Sequence, residues 1–370
     1  MAGGTGRLAV GEGRAGAGGA GGRGAWIEID GGQHSGSGTI VRFAVAFSAL
    51  CRRPLRLVNA RAGRARPGLR PQHVAAVRAC ATLCQARTEG VSVDSREFSF
   101  RPGSPVRGGR YEWDIGTAGS ASMLALGVLP VACLAGSPLS ARITGGLFQD
   151  FAPSPFHLGQ VLAPLVRRMG AAVEFEVLRP GYVPAGAGVL EMSVRPAAGG
   201  LAALELLDPG SLRSLRGIAL ASHLSERRVG ERMARACEAV LAGEGLACHI
   251  ERRDDATAPQ PGAALCLWAE TSTGCLLGAD RAGAPRRSSE AIGRQVARAL
   301  LEDLACGASV DRHLADQLVP FACLARGTTR YQVPADNAHL RTHLWLAERF
   351  GAKARRDGLR VELEGLGLRP

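Results

Sequence analysis

The stretch Ala25–Ala60, AWIEIDGGQHSGSGTIVRFAVAFSALCRRPLRLVNA, is the part of the chain that best predicts its fold. It begins with AWIEID, in which apolar and polar residues alternate as they do in a β-strand with one buried face. A glycine-rich turn follows, and then TIVRFAVAFSALC, whose apolar residues have helical spacing. The stretch ends with a second strand pattern, PLRLVNA, so strand, helix and strand follow one another in one unit.

The same alternation of strand and helix patterns continues along the chain. We predict further helices at 71–84, 117–136 and 155–170, and from about Leu204 the alternation restarts as a smaller unit. The last segment, from about Ala308, again holds strand and helix patterns. The groups recur roughly every fifty to sixty residues, as expected for repeated supersecondary units. We therefore predict an α/β (α+β) fold whose helices pack on one face of each sheet.

Composition indicates a globular protein with a polyanionic partner. The chain has 370 residues, 46% of them hydrophobic and 21% charged, and a net charge of +12 at pH 7. Lys353 is the only lysine, so nearly all of the positive charge is carried by arginine. Arginine stays charged at cellular pH and binds phosphate through two parallel hydrogen bonds, which suits a nucleotide or nucleic acid.

Cysteine usage and the length of the apolar runs indicate where in the cell the protein is located. Ten cysteines are scattered without a C-x-x-C pair, which argues against a zinc ribbon and against a secreted disulfide framework. We expect a reducing, cytoplasmic location and no association with membranes, because no apolar run approaches membrane-spanning length. Residues 1–24 are rich in Gly, Ala and Arg, and we expect a disordered tail there rather than a signal peptide.

Several common chemistries lack their motifs in this chain. It has no G-x-x-x-x-G-K-[ST], no H-E-x-x-H and no acidic residue at the position that a dinucleotide-binding fingerprint requires. The turn that holds Ser35 and Ser37 does not match the G-x-S-x-G elbow of hydrolases. With a single lysine, a covalent nucleotidyl intermediate would need another nucleophile, and histidine is the obvious candidate.

The stretch RAGRARPGLRPQH, Arg61–His73, places several arginines on a proline-containing turn just before a helix. The first turn of a helix has free N–H groups that favour anions, and the prolines reduce the entropy lost when the arginines bind. We interpret the turn as a phosphate-binding element. The alternative is a solvated basic face, to which we assign Arg66 and Arg78.

Several motifs together resemble one family. The stretches IEIDGGQHSGSGTIVR, RAGRARPGLRPQH, GTAGS, RPGYVPAGAG, AETSTGCLLGA and HLADQLVPFACLA occur in the order found in RNA 3'-terminal phosphate cyclases, from about Trp26 to Gly351. The resemblance implies a large discontinuous domain of repeated βαβαββ-type units at 25–200 and 306–370. It also implies a smaller inserted α/β domain at 201–305.

The resemblance further implies an ATP-dependent reaction that converts an RNA 3'-phosphate into a 2',3'-cyclic phosphate. A histidine would attack the α-phosphate of ATP, AMP would move to the RNA 3'-phosphate, and the 2'-hydroxyl would displace AMP. The implied cofactors are ATP and a divalent metal, Mg or Mn. The implied partner is RNA with a 3'-terminal phosphate, while no oligomeric state is indicated.

The roles of individual residues follow from their positions in the family motifs. The nucleophile falls on His339, and Asp316 is the candidate metal neighbour, although a capping or salt-bridge role for Asp316 is an equally plain interpretation. The residues assigned to ATP are Pro153, His313, Asp316, Gln317, Arg42, Arg61 and Arg64. The residues assigned to the RNA phosphate are Arg70, Gln72 and His73.

The chain also departs from the family pattern. Ser35 stands where the family has a glutamate, Leu126 where it has a glutamine, and Leu147–Phe148 where it has Thr-Asn. Because such changes could affect turnover, a non-catalytic cyclase-like RNA-binding protein, of the type that assists ribosome assembly, remains the alternative. An enolpyruvyl transferase shares the repeated α/β architecture but normally requires lysines, and this chain has only Lys353.

Overall fold

A computed structural model of the protein describes residues 25–370, so the tail predicted at 1–24 lies outside the described residues. Four four-stranded sheets and ten α-helices account for the regular structure of this part of the chain. The predicted α/β class is therefore confirmed. The helices between residues 25 and 370 include none that is long and apolar enough to cross a membrane.

The first unit starts with the stretch that opens with AWIEID. Its elements are β1 (Ile27–Asp30), α1 (Gly38–Cys51), β2 (Leu55–Val58), α2 (Pro71–Cys84), β3 (Arg87–Glu89) and β4 (Phe98–Arg101). The sheet has the order β1-β2-β4-β3, with β1 and β2 parallel and the other pairs antiparallel. Ile27 and Ile29 are buried while Glu28 is exposed, so the helices cover one face of the sheet.

The second unit repeats this topology. Its elements are β5 (Gly109–Asp114), α3 (Ala121–Cys133), β6 (Leu139–Gly145), α4 (Pro155–His157), a π-helical turn (Leu158–Leu162), α5 (Ala163–Arg168), β7 (Ala172–Arg179) and β8 (Gly188–Arg195). The order β5-β6-β8-β7 and the strand directions match those of the first sheet. Helix α3 packs against α1, α2 and β8 and is buried along nearly its whole length, which explains its apolar sequence.

A smaller unit follows the short strand β9 (Glu205–Leu206). Its elements are β10 (Leu212–Ser222), α6 (Val229–Gly243), β11 (His249–Asp255), β12 (Gly262–Thr271), β13 (Leu276–Ala282) and α7 (Ser289–Ala305). The strand order β11-β10-β12-β13 differs from that of the other sheets. We call this unit the insert, because its chain lies between two strands of the third sheet.

The third sheet closes the chain and again has the topology of the first. Its elements after the insert are α8 (Leu314–Gln317), α9 (Val319–Leu324), β14 (Thr328–Gln332), α10 (Ala338–Arg349), β15 (Lys353–Asp357) and β16 (Arg360–Glu364). The order is β9-β14-β16-β15, with β9 and β14 parallel. Residues 205 and 206 therefore pair with the third sheet, although the sequence analysis assigned them to the range 201–305; the domain boundaries themselves stay a prediction.

The loop between β7 and β8 joins the insert to the second unit. The hydroxyl of Tyr182 lies 2.8 Å from that of Ser222, and Gln260 donates a hydrogen bond to the carbonyl of Val183 at 2.8 Å. A Cβ at Gly262 would lie 2.3 Å from the Tyr182 ring, so only glycine leaves room for that ring. These contacts hold the insert against the second unit.

Candidate active site

A cavity of about 660 Å³ lies where the three repeated units and the insert meet. It brings together every residue that sequence analysis assigned to the site except Arg70. The predicted residues that line it are Arg42, Arg61, Arg64, Gln72, His73, Pro153, His313, Asp316, Gln317 and His339. Their individual roles stay predictions, but their proximity is a property of the fold.

Three of the longer helices begin at the cavity. Ser37, Gly38 and Thr39 from the start of α1 line it, together with Gln72 and His73 from α2 and His339 from α10. The hydroxyl of Ser37 makes no capping hydrogen bond to α1. The first N–H groups of a helix lack partners within the helix, so convergent helix starts form a site for anions.

Arg42 is the most unusual cation of the cavity. Its side chain is buried, with a relative exposure of 4%, and within residues 25–370 no carboxylate lies within 4.0 Å of its guanidinium group. Burial, followed by the charges of Arg61 and Arg64, lowers the pKa of Arg42 to about 10 despite the opposing charge of Asp316. Gly127 of α3 contacts the side chain closely, since a Cβ there would lie 3.2 Å from Arg42 Cδ. A buried, unpaired cation is costly unless an anion binds beside it.

The arginines of the basic turn differ in their contacts. Arg64 is exposed and lines the cavity. Arg61 also lines it, but its Nη1 donates to the carbonyls of Arg66 and Gly68 at 2.9 and 2.7 Å, which holds the turn closed. Arg70 points elsewhere and binds Asp94 at 2.6 Å. This geometry does not favour the predicted contact between Arg70 and an RNA phosphate.

His73 is a neutral hydrogen-bond donor on the cavity wall. Its Nδ1 accepts from the backbone N–H of Arg70 at 3.1 Å, so the ring proton resides on Nε2. Burial and then the charges of the surrounding arginines, Arg42 first, hold the pKa of His73 well below its ordinary value. Beside it, Gln72 accepts from Ser120 N at 2.8 Å, which leaves its amide group free to donate.

His339 is the second residue of α10 and is exposed to the cavity. Asn337 caps the helix by accepting from Leu340 N at 2.8 Å, and Ser35 N donates to Thr342 Oγ1 at 3.1 Å. These contacts anchor the start of α10 against the loop after β1. Partial burial and the charges of Arg64 and Arg42 lower the pKa of His339, which favours the neutral, nucleophilic imidazole.

Asp316 and His343 lie behind His339. The Nδ1 atom of His343 lies 3.0 Å from the carbonyl of His339 and 3.3 Å from Asp316 Oδ2, so Nδ1 carries the proton. Burial lowers the pKa of His343 to about 3. Burial, together with the charge of Asp311, raises the pKa of Asp316 to about 7 although Arg42 opposes this shift.

Unpartnered buried polar atoms concentrate in this cavity. Six buried side-chain nitrogen or oxygen atoms have no hydrogen-bond partner among residues 25–370, and five of them belong to residues of the cavity wall. These five are Arg42 Nε, His157 Nδ1, Arg281 Nε, Gln317 Oε1 and His343 Nε2. Buried polar groups are normally paired in folded proteins, so their accumulation points to a polar ligand.

The carboxylates of the cavity do not form a metal site. In the described part of the chain, no three Asp, Glu, His or Cys side chains are grouped as metal ligands. Asp150 is bound by Arg287 at 2.7 Å, and Asp280 accepts from Ser154 N at 2.7 Å. Asp316, the predicted metal neighbour, lies 3.3 Å from Nδ1 of His343, and it does not make a resident metal site by itself.

Several lining residues were not predicted from the sequence. They are Phe148, Gln149, Asp150 and Phe151 from the loop after β6, together with His157, Asp280, Arg281 and His343. Leu126, which stands where the resemblance places a glutamine, contributes an apolar patch to the wall. The sequence alone could not identify His157 as a residue of the site, because its partner Asp311 is distant in sequence and only the fold brings the two side chains together.

Comparison with known proteins identifies the family of the chain. Residues 33–355 match the family described as RNA 3'-terminal phosphate cyclase. A Methanopyrus kandleri protein of that name is 38% identical over 332 residues, covering 88% of this chain and 93% of the relative. Proteins of the same name from Pyrobaculum neutrophilum and Nitrosospira multiformis are both 36% identical, covering 92% and 87% of this chain and 99% and 91% of the relatives. The chain belongs to the RNA 3'-terminal phosphate cyclase family.

Proposed function

We propose that the protein uses ATP to convert an RNA 3'-phosphate into a 2',3'-cyclic phosphate. The observation that carries this proposal is the cavity itself, in which an exposed, neutral histidine faces a buried and unpaired arginine. A triphosphate supplies the anion that Arg42 lacks. The imidazole of His339 supplies a nucleophile that needs no deprotonation before it attacks.

In the first step, a ring nitrogen of His339 attacks the α-phosphorus of ATP. A phosphorus–nitrogen bond forms, the bond to the β-phosphate oxygen breaks, and pyrophosphate leaves. Arg42, Arg64 and the N–H groups at the start of α1 would stabilise the charge that develops on the phosphate oxygens.

In the second step, an oxygen of the RNA 3'-phosphate attacks the same phosphorus, and the bond to His339 breaks. The 2'-hydroxyl oxygen then attacks the RNA phosphorus, loses its proton and releases AMP. The amide of Gln72 and the Nε2–H of His73 are free to donate to the RNA phosphate, since their other polar atoms are engaged. A divalent metal stays a prediction from the resemblance, and no step here depends on it.

A covalent labelling experiment tests the proposal. The protein is incubated with ATP labelled at the α-phosphate, and the acid-labile label retained on the chain is measured. We expect labelling of the wild type and none of His339→Asn. His343→Asn is the matched control, because His343 lies one turn further along α10 with a ring nitrogen shielded from solvent. It should keep the label.

Loss of label in His343→Asn and its retention in His339→Asn would contradict the assignment of the nucleophile. Absence of label in the wild type would favour the non-catalytic RNA-binding alternative, which the apolar Leu126 in the cavity wall keeps open. For the compartment we propose the cytoplasm. None of the ten cysteines forms a disulfide, as expected in a reducing environment.

A further inference from the structure

A buried histidine and a buried aspartate meet on the wall of the cavity that faces the insert. The Nε2 atom of His157 lies 3.1 Å from Asp311 Oδ2, and both side chains are almost inaccessible to solvent, at 1% and 0%. His157 comes from the second unit and Asp311 from the segment before α8. Neither was singled out in the sequence, and the proposed chemistry does not use them.

The carboxylate of Asp311 is fully bonded, so it holds the ring of His157 in one orientation. Its Oδ2 also accepts from Gly278 N at 2.8 Å, and its Oδ1 accepts from the N–H groups of His313 and Leu314 at 2.8 Å each. The ring packs closely against Gly278 of β13, where an added Cβ would lie only 2.8 Å from His157 Cδ2. Asp311 is thus a rigid partner that orients the imidazole.

The other ring nitrogen has no partner within the protein. Nδ1 of His157 is buried and makes no hydrogen bond with any of the residues 25–370, and His157 lines the cavity. With Nε2 engaged by Asp311, the nitrogen left for a bound molecule is Nδ1. Orphaned polar atoms of this kind are expected to be satisfied by a ligand or water.

The charges around His157 favour its protonated form. Burial alone would lower its pKa, but the charge and hydrogen bond of Asp311, with further contributions from Asp280 and Asp316, raise the pKa above its ordinary value. A protonated ring carries a hydrogen on each nitrogen, so Nδ1 becomes a donor. The burial of Asp311 is likewise outweighed by His157, and the pKa of Asp311 falls to about 2.

The same carboxylates determine which part of a nucleotide fits here. Asp280 and Asp311 lie near His157, and negative charges repel phosphate. The arginines that suit phosphate cluster instead around His339 and the helix starts. The uncharged end of a nucleotide, its base, is therefore the part that meets His157.

We propose that His157, oriented by Asp311, donates a hydrogen bond from Nδ1 to a ring nitrogen of the nucleotide base. This inference rests on the proposed function, because it assigns the base-binding end of the same cavity. Gln317 Oε1, also buried without a partner, is available for an amino group of that base. Adenine offers both groups, ring nitrogens that accept and an amino group that donates.

The test is a binding cycle that combines changes in the ligand with changes in the protein. Equilibrium dissociation constants are measured for ATP and for its three deaza analogues, each of which replaces one acceptor nitrogen of the adenine ring with carbon. In all four nucleotides a methylene group replaces the oxygen between the α- and β-phosphates, so that His339 cannot react with them. Hydrogen bonds to charged groups are worth about 1.5–3 kcal/mol, so the wild type should bind one analogue at least about tenfold more weakly than ATP. The other two should bind as ATP does.

The variant arm uses His157→Phe with Asp311→Asn, so that no uncompensated carboxylate remains buried. The double variant should bind ATP about tenfold more weakly and should no longer distinguish the sensitive analogue from ATP. His157→Phe alone is a second variant, and thermal unfolding reports whether each variant is folded. The wild-type arm needs no substitution, so the proposal is testable even if both variants are unstable.

The outcomes separate the two proposals. If ATP binds and all three analogues bind equally well to the wild type, His157 makes no contact with a ring nitrogen and this inference is overturned, while the proposed function stands. The same holds if the double variant keeps the full discrimination. If the wild type binds no ATP, both proposals are wrong.

Discussion

At the scale of single residues, the cavity perturbs the ionisation of two side chains, Arg42 and His339. Arg42 is buried without a carboxylate, and His339 is kept neutral by burial and by the arginines near it. Arg42, as a buried and unpaired cation, reduces the stability of the free protein and becomes favourable once an anion binds beside it.

Replacement of Arg42 by methionine should raise the stability of the free protein and lower its activity. In buffer without phosphate or sulfate, we expect Arg42→Met to raise the free energy of unfolding by about 1–4 kcal/mol, because a buried unpaired charge is removed. Covalent labelling by ATP should fall by about 100-fold or more. Denaturant unfolding and the labelling rate measure the two effects, and a variant less stable than the wild type would contradict this account of Arg42.

The rate of covalent labelling should depend on pH through His339. Under the proposed function the neutral ring of His339 is the nucleophile, so the labelling rate should fall as the pH drops through the pKa of His339, which lies below the ordinary value of 6.5. Arg64→Ala removes a positive charge that lowers the pKa of His339. The substitution should therefore shift the acidic limb of the pH–rate profile to higher pH. If the acidic limb of the pH–rate profile is the same in Arg64→Ala as in the wild type, the His339 ring and the Arg64 guanidinium do not interact.

At the scale of elements, the start of α1 packs in close contact with α2. A Cβ at Gly38 would lie 2.0 Å from Nε2 of His73, whose ring is buried and held by the N–H of Arg70. Because the ring is rigid, it cannot yield as a flexible side chain would. The contact fixes the position of His73 on the cavity wall.

Gly38→Ala should therefore destabilise the protein by about 1–3 kcal/mol, the usual cost of overpacking, and should weaken RNA binding. The matched control is Gly230→Ala near the start of α6, where the nearest atoms lie 3.6 Å from the added Cβ. Alanine is the better helix former, so the control should be neutral or stabilising. Thermal unfolding distinguishes the two, and equal stabilisation by both would contradict the packing argument.

The elements also show what the sequence can and cannot predict. Strand β1 and helix α2 were predicted almost residue for residue, since alternation and helical spacing are local patterns. Strand β15, with the sequence KARRD, was missed because it is nearly all charged and mostly exposed, so it has no apolar pattern. The cavity residues His157 and Asp311 were missed for another reason, as their meeting depends on tertiary packing alone.

At the scale of the whole molecule, positive charge should govern RNA binding. The net charge is +12, and each arginine that contacts a phosphate releases a counterion. We expect Arg64→Ala to reduce the slope of log affinity against log salt concentration by about 0.7 for single-stranded RNA. Filter binding at several salt concentrations measures this slope.

Arg235→Ala is the control for that measurement. Arg235 belongs to α6 of the insert and binds Glu231 at 2.5 Å, far along the chain from the basic turn. Its removal should leave the slope unchanged. An equal effect of both substitutions would mean that RNA senses only the overall charge of the protein and not the arginines of the cavity.

The interruption of the third sheet affects how the protein is made. Strand β9 is translated well before its neighbour β14, and the entire insert must leave the ribosome between them. The first two sheets are each built from one continuous segment and can form during synthesis, whereas the third has a high contact order. The cavity, which needs α10 from that last sheet, is thus assembled only when translation is nearly finished, so under the proposed function nascent chains should be unable to react with ATP.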